Sequence, residues 1–171
     1  MSNNIGKRFE LQWKLSVPDY ALLYRLPDPA HSFGGSNNLR FSAKPPFDYL
    51  LWDSMHRVLY ALELKTVKGS SISFERSKDD KGEIHYSQIK NLYNWNKYDG
   101  ILAGFIIEFR QIEKTVFIAI SEFNKLISLI DKKSFNYNDL EEHEIPFIVI
   151  NQKKARTRYR YDVDAFLCSN K

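Results

Sequence analysis

Asp48 precedes Glu63-Leu64-Lys65 by fifteen residues, a spacing that suits two adjoining strands of a hairpin. Residues two apart on a strand point to one face, so Glu63 and Lys65 project together, and a hairpin in register sets Asp48 opposite them. Two carboxylates and an ammonium are expensive to desolvate inside an apolar sheet. A divalent cation held by Asp48 and Glu63, with Lys65 alongside, offsets that cost. Such a cluster activates a water, while Lys65 positions that water or steadies the charge growing on a phosphate. Taken alone, Glu-x-Lys on a strand reads as a solvated ion pair. Here Leu59 and Ala61 share its face and Val58, Tyr60, Leu62 and Leu64 fill the other, which favours a strand buried within a sheet.

A second chemistry-bearing stretch is Lys153-Lys154-Ala155-Arg156-Thr157-Arg158-Tyr159-Arg160, five cations in eight residues with no acid. Basic residues interleaved with Tyr159 and Tyr161 suit phosphate contacts with stacking on sugars or bases. A solvated charge run is the plainer reading of such a cluster standing alone. The histidines, His31, His56, His85 and His143, lack metal-ligand spacing, so no zinc set is expected. Gly34-Gly35 lacks the lysine and preceding strand of a phosphate loop, so no nucleotide cofactor is expected either.

The elements that must position these residues follow from periodicity. Phe9 and Trp13, four apart, mark an amphipathic helix over residues 6–15 that ends before Pro18. Residues 24–46 carry Pro, Gly, Ser and Asn in quantity and read as a long loop able to contact a ligand. Strands are expected over 47–52 and 57–67, then a polar excursion over 68–83 interrupted by Ile72 and Phe74. A helix over 85–95 follows, then strands over 101–109 and 115–120, a helix over 124–130, a strand over 146–150 and a helix over 162–167. The sum is an α/β (α+β) domain, a sheet with helices on its faces.

Composition bounds the rest. At 171 residues the chain is one domain, residues 1–171, long enough to bury a core without disulfides. Hydrophobic residues make up 43% and charged residues 27%, which excludes a disordered or fibrous chain. The net charge of +4 favours a polyanionic partner. A lone cysteine, Cys168, cannot form an internal disulfide and points to a reducing compartment. No apolar run approaches the roughly 20 residues of a membrane span, and residues 1–10 lack a signal peptide's apolar segment, so a cytoplasmic protein without membrane partners is expected.

Pro-Phe-Asp48 followed by Glu63-Leu-Lys65 resembles the core motif of the PD-(D/E)xK nuclease superfamily. Gly6-x-x-Phe9-Glu10 is similar to the first-helix motif in which that superfamily places a further glutamate. His85-Tyr86-Ser87-Gln88-Ile89 resembles the helix that, in RecU-type Holliday junction resolvases, supplies a glutamine to the metal site. With Tyr24-Arg-Leu-x-Asp28 and Gly104-Phe-Ile-Ile107 these motifs run in that family's order, and the short chain resembles a bacteriophage type.

The resemblance implies a restriction-endonuclease-like mixed sheet with a projecting stalk-like excursion over 68–83. It implies Mg2+, with Mn2+ able to replace it, held by Asp48, Glu63 and Gln88, with Glu10 aimed at the same site and Lys65 catalytic. It also implies a homodimer that resolves four-way DNA junctions in recombination and repair. Lys68, Arg76, Lys78 and Lys81 on the stalk would meet phosphates near the crossover. Beside a nuclease-like site the phosphate reading of Lys153, Lys154, Arg156, Arg158 and Arg160 becomes the better one, and Arg8 and Arg25 are expected to bind DNA as well. Where the family carries threonine two residues before the aspartate, this chain has Pro46, so any contribution there comes from backbone or water. Two rivals are a restriction-like endonuclease on duplex DNA and a non-catalytic DNA-binding or bridging protein that keeps the fold.

Overall fold

A computed structural model describes residues 5–27, 44–156 and 158–169. Ten strands are present among these: β1 (Ala21–Arg25), β2 (Tyr49–Asp53), β3 (Val58–Val67), β4 (Ser71–Ser73), β5 (Ile101–Phe109), β6 (Lys114–Ala119), β7 (Ser134–Asn136), β8 (Ile148–Ile150), β9 (Gln152–Ala155) and β10 (Arg158–Tyr161). The helices are α1 (Ile5–Lys14), α2 (Tyr86–Trp95), α3 (Ile120–Leu129), α4 (Tyr137–Glu142) and α5 (Val163–Cys168). Six strands form one sheet in the order β1-β2-β3-β5-β6-β8, and β4-β7 and β9-β10 form two small ribbons. Within the large sheet β3 and β5 run parallel and every other pair is antiparallel, so the sheet is mixed, as expected.

Apolar residues cover both faces of β3. Its even residues Tyr60, Leu62 and Leu64 join Phe9 and Trp13 of α1 and Phe166 of α5. Its odd residues Ala61 and Val67 join Ile89 and Leu92 of α2 and Phe123 and Leu126 of α3. Glu63 and Lys65 therefore stand in the second face, between buried neighbours. Close strand approach explains Gly104 on β5: a Cβ there would lie 2.4 Å from the Ile118 carbonyl oxygen and 2.6 Å from the Phe117 ring. Only a residue without a side chain keeps β5 and β6 at that separation.

The segment 68–83 corrects the expectation of a projecting stalk. β4 pairs with β7, and Ile72, Phe74 and Ile84 are buried in the same core as α2 and α3. Phe74 packs edge-on against Phe123, 5.9 Å between centroids. The two apolar residues that interrupt this polar stretch thus bind it to the body, leaving Ser77, Lys78, Asp79 and Lys81 exposed. Arg76 is corrected with it: its guanidinium donates to the carbonyls of Ile127, Ile130 and Lys132 at the end of α3. That end carries partial negative charge, so the cation finds its partners within the fold.

The expected loop over 24–46 begins later than its turn formers suggest, because Tyr24 and Arg25 belong to β1. That strand is an edge with exposed Leu22 and Tyr24, so it lacks the polar alternation by which a half-buried strand is read. Residues 28–43 of that loop, with Asp28 and Gly34-Gly35, lie outside the described residues. The cationic stretch is the β9–β10 hairpin, turning at Arg156, which takes φ 54°.

Candidate active site

Register places the acidic pair. Tyr49 pairs with Leu62, and the Asp48 N–H donates to the Leu62 carbonyl at 3.2 Å, so Asp48 falls opposite Glu63 at the entry to β2. The Leu64 N–H then donates to Asp48 Oδ2 at 2.9 Å, which ties the carboxylate to the neighbouring strand. Phe47, buried against Trp95 with ring centroids 5.0 Å apart, fixes the preceding residue. A backbone pinned on both sides leaves Asp48 little freedom to turn away.

Glu63 is 3% exposed, and its Oε1 accepts from Lys65 Nζ at 3.1 Å and from the Gln88 amide nitrogen. Burial, joined by the negative charge of Asp48, pushes the Glu63 carboxyl up to about 7, against the opposing pull of Lys65. Burial likewise raises Asp48, with the Glu10 charge adding to it, while the Leu64 N–H, Lys65 and Arg25 act in the opposite sense. Two desolvated carboxylates thus share one face with one ammonium. The other oxygen of each, Asp48 Oδ1 and Glu63 Oε2, has no hydrogen-bond partner among the described residues.

Those two uncommitted oxygens are what fit a divalent cation. Mg2+ keeps several waters and is commonly bound through one or two carboxylates together with substrate phosphates, so a two-carboxylate site suits it. No group of three or more His, Cys, Asp and Glu side chains converges among the described residues. Gln88 reaches the pair through nitrogen, because its Oε1 accepts the His85 N–H at 3.0 Å and so caps α2. To ligate a cation through oxygen, this amide must turn over and give up that cap.

Glu10 stands one step away. Its Oε2 accepts from Arg25 Nε and from the Tyr49 hydroxyl, each at 3.1 Å, and its charge is felt at both Asp48 and Glu63. Burial and Glu10 raise the Tyr49 hydroxyl well above its ordinary value, so it stays a donor. Arg25 is accordingly engaged with Glu10.

Glu75 escaped the sequence reading. Its carboxylate accepts the Tyr86 N–H at 2.8 Å and meets His85 Nδ1 at 2.8 Å, so the segment between β4 and α2 seats the helix that delivers Gln88. The hydrogen bond from His85 holds Glu75 below its ordinary value. An isolated acid in a charged stretch gives no such signal, since its partner is ten residues on. Beside Gln88 opens a cleft of about 510 Å3 lined by Lys44, Pro46, Lys78, Tyr86 and Asn91 among others.

The expected phosphate contacts separate into two sets. Arg8, Lys68, Lys78, Lys81, Lys153 and Arg156 have exposed side chains. Arg160 donates to the Leu15 carbonyl at 2.6 Å, and Lys154 sits 3.5 Å from Glu113, which also accepts from Tyr159 at 2.7 Å. Arg158 lies on β10, its side chain outside the described set.

No helix among the described residues is long and apolar enough to cross a membrane. No family model matches the chain. Over 174 residues the chain is 29% identical to the SPbeta prophage-derived uncharacterized protein YotM of Bacillus subtilis (strain 168), a match covering 94% of this chain and 83% of that protein.

Proposed function

We propose that this protein is a Mg2+-dependent, structure-selective endodeoxyribonuclease that cuts four-way DNA junctions as a homodimer. The observation that carries the reading is the pair Asp48 and Glu63, two desolvated carboxylates brought by neighbouring strands onto one face with Lys65 3.1 Å from Glu63. Structural ion pairs rarely place two carboxylates together against one ammonium inside a sheet, because the second charge is uncompensated. A cation resolves that imbalance.

Asp48 and Glu63 would hold Mg2+, which when bound lowers the pKa of water and draws charge from a phosphate oxygen. Lys65, fixed by Glu63, would stand where an attacking water or a phosphate oxygen carries developing negative charge. Gln88 keeps the Glu63 carboxylate oriented, as the outer partners of metal ligands do. Asp48, held by the Leu64 N–H, keeps its second oxygen directed away from the backbone. As the bond to the 3′ oxygen breaks, the attacking water would give up a proton to solvent and the leaving 3′ oxygen would take one from it.

The net charge of +4 and the exposed cations supply sequence-independent affinity for a phosphodiester backbone. A two-fold assembly places two such sites on opposing strands of a junction with matching symmetry. A prophage-derived relative agrees with a phage setting for such an enzyme. The deciding experiment incubates purified protein with an end-labelled synthetic four-way junction and adds Mg2+ last. Paired nicks that require Mg2+ and spare a linear duplex of equal sequence are expected. Cleavage of the linear duplex would favour a restriction-like enzyme, and binding without cleavage a bridging protein.

A further inference from the structure

The helix that delivers Gln88 carries a second feature on its outer side. At 3.6 residues per turn, Tyr86, Lys90, Tyr93 and Lys97 fall within one stripe of about 60° that flanks buried Ile89 and faces away from buried Leu92; Lys97 stands just past the helix end. Lys90, Tyr93 and Lys97 are exposed, Tyr93 to 49%. Lys97 Nζ lies 4.7 Å from the centre of the Tyr93 ring and 3.2 Å from Asn94 Oδ1, so the cation is held beside the exposed aromatic. Helix α2 has no acidic residue.

Tyr86 belongs to this stripe and also lines the 510 Å3 cleft, as does Gln88, itself bonded to Glu63. Lys44 and Lys78 stand on the same walls, and the acid among the lining residues, Glu75, is turned onto His85 and the Tyr86 N–H. Gln88 thus links the acidic pair to a cationic cleft, and Tyr86 links that cleft to a ladder of alternating tyrosine and lysine. Aromatic faces that accept any base, interleaved with cations for the phosphates, are the requirements of a single-stranded nucleic acid and not of a paired duplex, whose bases are already stacked.

We propose that α2 guides unpaired nucleotides adjoining the cut site, the backbone passing through the Lys44–Lys78 cleft and the bases stacking on Tyr86 and Tyr93. Those two residues are about 10 Å apart along the helix axis, a separation that an unstacked strand can bridge. The proposal rests on the nuclease reading for its direction, since the cut site is the acidic pair. The stripe's affinity for unpaired nucleotides is testable apart from catalysis.

Full-length protein in chelator is titrated with a duplex bearing an oligothymidine tail, with the same duplex blunt-ended, and with a tail carrying 2-aminopurine beside the duplex. The parent protein is expected to prefer the tailed DNA and to quench the 2-aminopurine as the base stacks. Tyr93→Ala and Tyr86→Ala should each weaken tailed-DNA binding by about tenfold and abolish the quench, with blunt-duplex affinity unchanged and Tyr93→Phe behaving as the parent. Lys90→Ala and Lys97→Ala should each reduce the salt dependence of tailed-DNA binding by about one counterion. Equal affinity of the parent for tailed and blunt DNA, or alanine variants indistinguishable from it, would overturn the proposal. Tailed-DNA binding that depends on the stripe in a protein that cuts nothing with Mg2+ would uphold it and sink the nuclease reading instead.

Discussion

The Leu64 N–H holds the Asp48 carboxylate at 2.9 Å, and Leu64 is the residue that separates Glu63 from Lys65. One backbone bond thus fixes three ionisable groups relative to one another. Asp48→Asn keeps an acceptor for that N–H while removing the charge, and Glu63→Gln does the same on the opposing strand. Each is expected to remove Mg2+-dependent cleavage of a four-way junction and to leave junction affinity in chelator intact. Lys65→Ala is expected to slow cleavage by roughly 10²–10³-fold, the scale for losing a group that steadies developing charge. Gel-resolved cleavage and anisotropy binding check the two halves. Loss of binding together with cleavage would place the site elsewhere.

Burial holds Glu63 at about 7 in the folded chain against an ordinary 4.5. A carboxyl raised on folding binds more protons in the native state, so its contribution to stability is greatest at low pH and declines as pH rises from about 4.5 through about 7. The decline amounts to something on the order of 3 kcal/mol for a shift of this size. Urea unfolding of metal-free protein between pH 5 and pH 8 should show this slope, and Glu63→Gln should flatten it. Mg2+ should raise stability at pH 8 and do little at pH 5. A wild-type slope that survives Glu63→Gln would assign the titration to another group.

Arg76 spans the end of α3 by donating to Ile127, Ile130 and Lys132, with its guanidinium carbon 5.3 Å from the centre of the Phe74 ring. Arg76→Met keeps much of the aliphatic packing and strands those carbonyls. The expected loss of stability is about 1–3 kcal/mol, read by urea unfolding, with DNA affinity of the folded variant unchanged. Unchanged stability with weakened DNA binding would restore this residue to the phosphate contacts.

Arg76 also shows where reading a chain in one dimension stops. Strand period two placed Glu63 and Lys65 together, and the apolar residues around them announced a buried strand, because both signals are local. The strands over Val58–Val67 and Ile101–Phe109 and the helix over Tyr86–Trp95 were legible for the same reason, while the parallel pairing of those two strands was not. The segment around Ile72 and Phe74 was not, since β4 and β7 are three residues each and pair across some sixty positions. A polar stretch with two apolar residues looks the same whether those residues dock or dangle. The hairpin of Lys153–Tyr161 was equally hidden, because lysine and arginine have weak strand preference and its order comes from partners such as Leu15 and Glu113. The tyrosine–lysine stripe on α2 extends past the expected helix to Lys97, whose place beside Tyr93 only the structure shows.

Glu10 separates two roles that the resemblance joins. Its Oε2 is engaged by Arg25 and Tyr49, and its charge helps raise Asp48 and Glu63 from outside the pair. A ligand removed as Glu10→Gln would take metal affinity and cleavage with it. A charge acting at a distance would instead, once neutralised, let both carboxyls ionise at lower pH. The acid limb of the cleavage profile, and of Mg2+ affinity followed by calorimetry, should then move to lower pH, with the rate at pH 8 close to that of the parent. Tyr49→Phe should leave the limb near its original position, because it removes a hydroxyl and no charge. Cleavage lost at every pH in Glu10→Gln, with the fold intact by urea unfolding, would return Glu10 to the metal's own ligands.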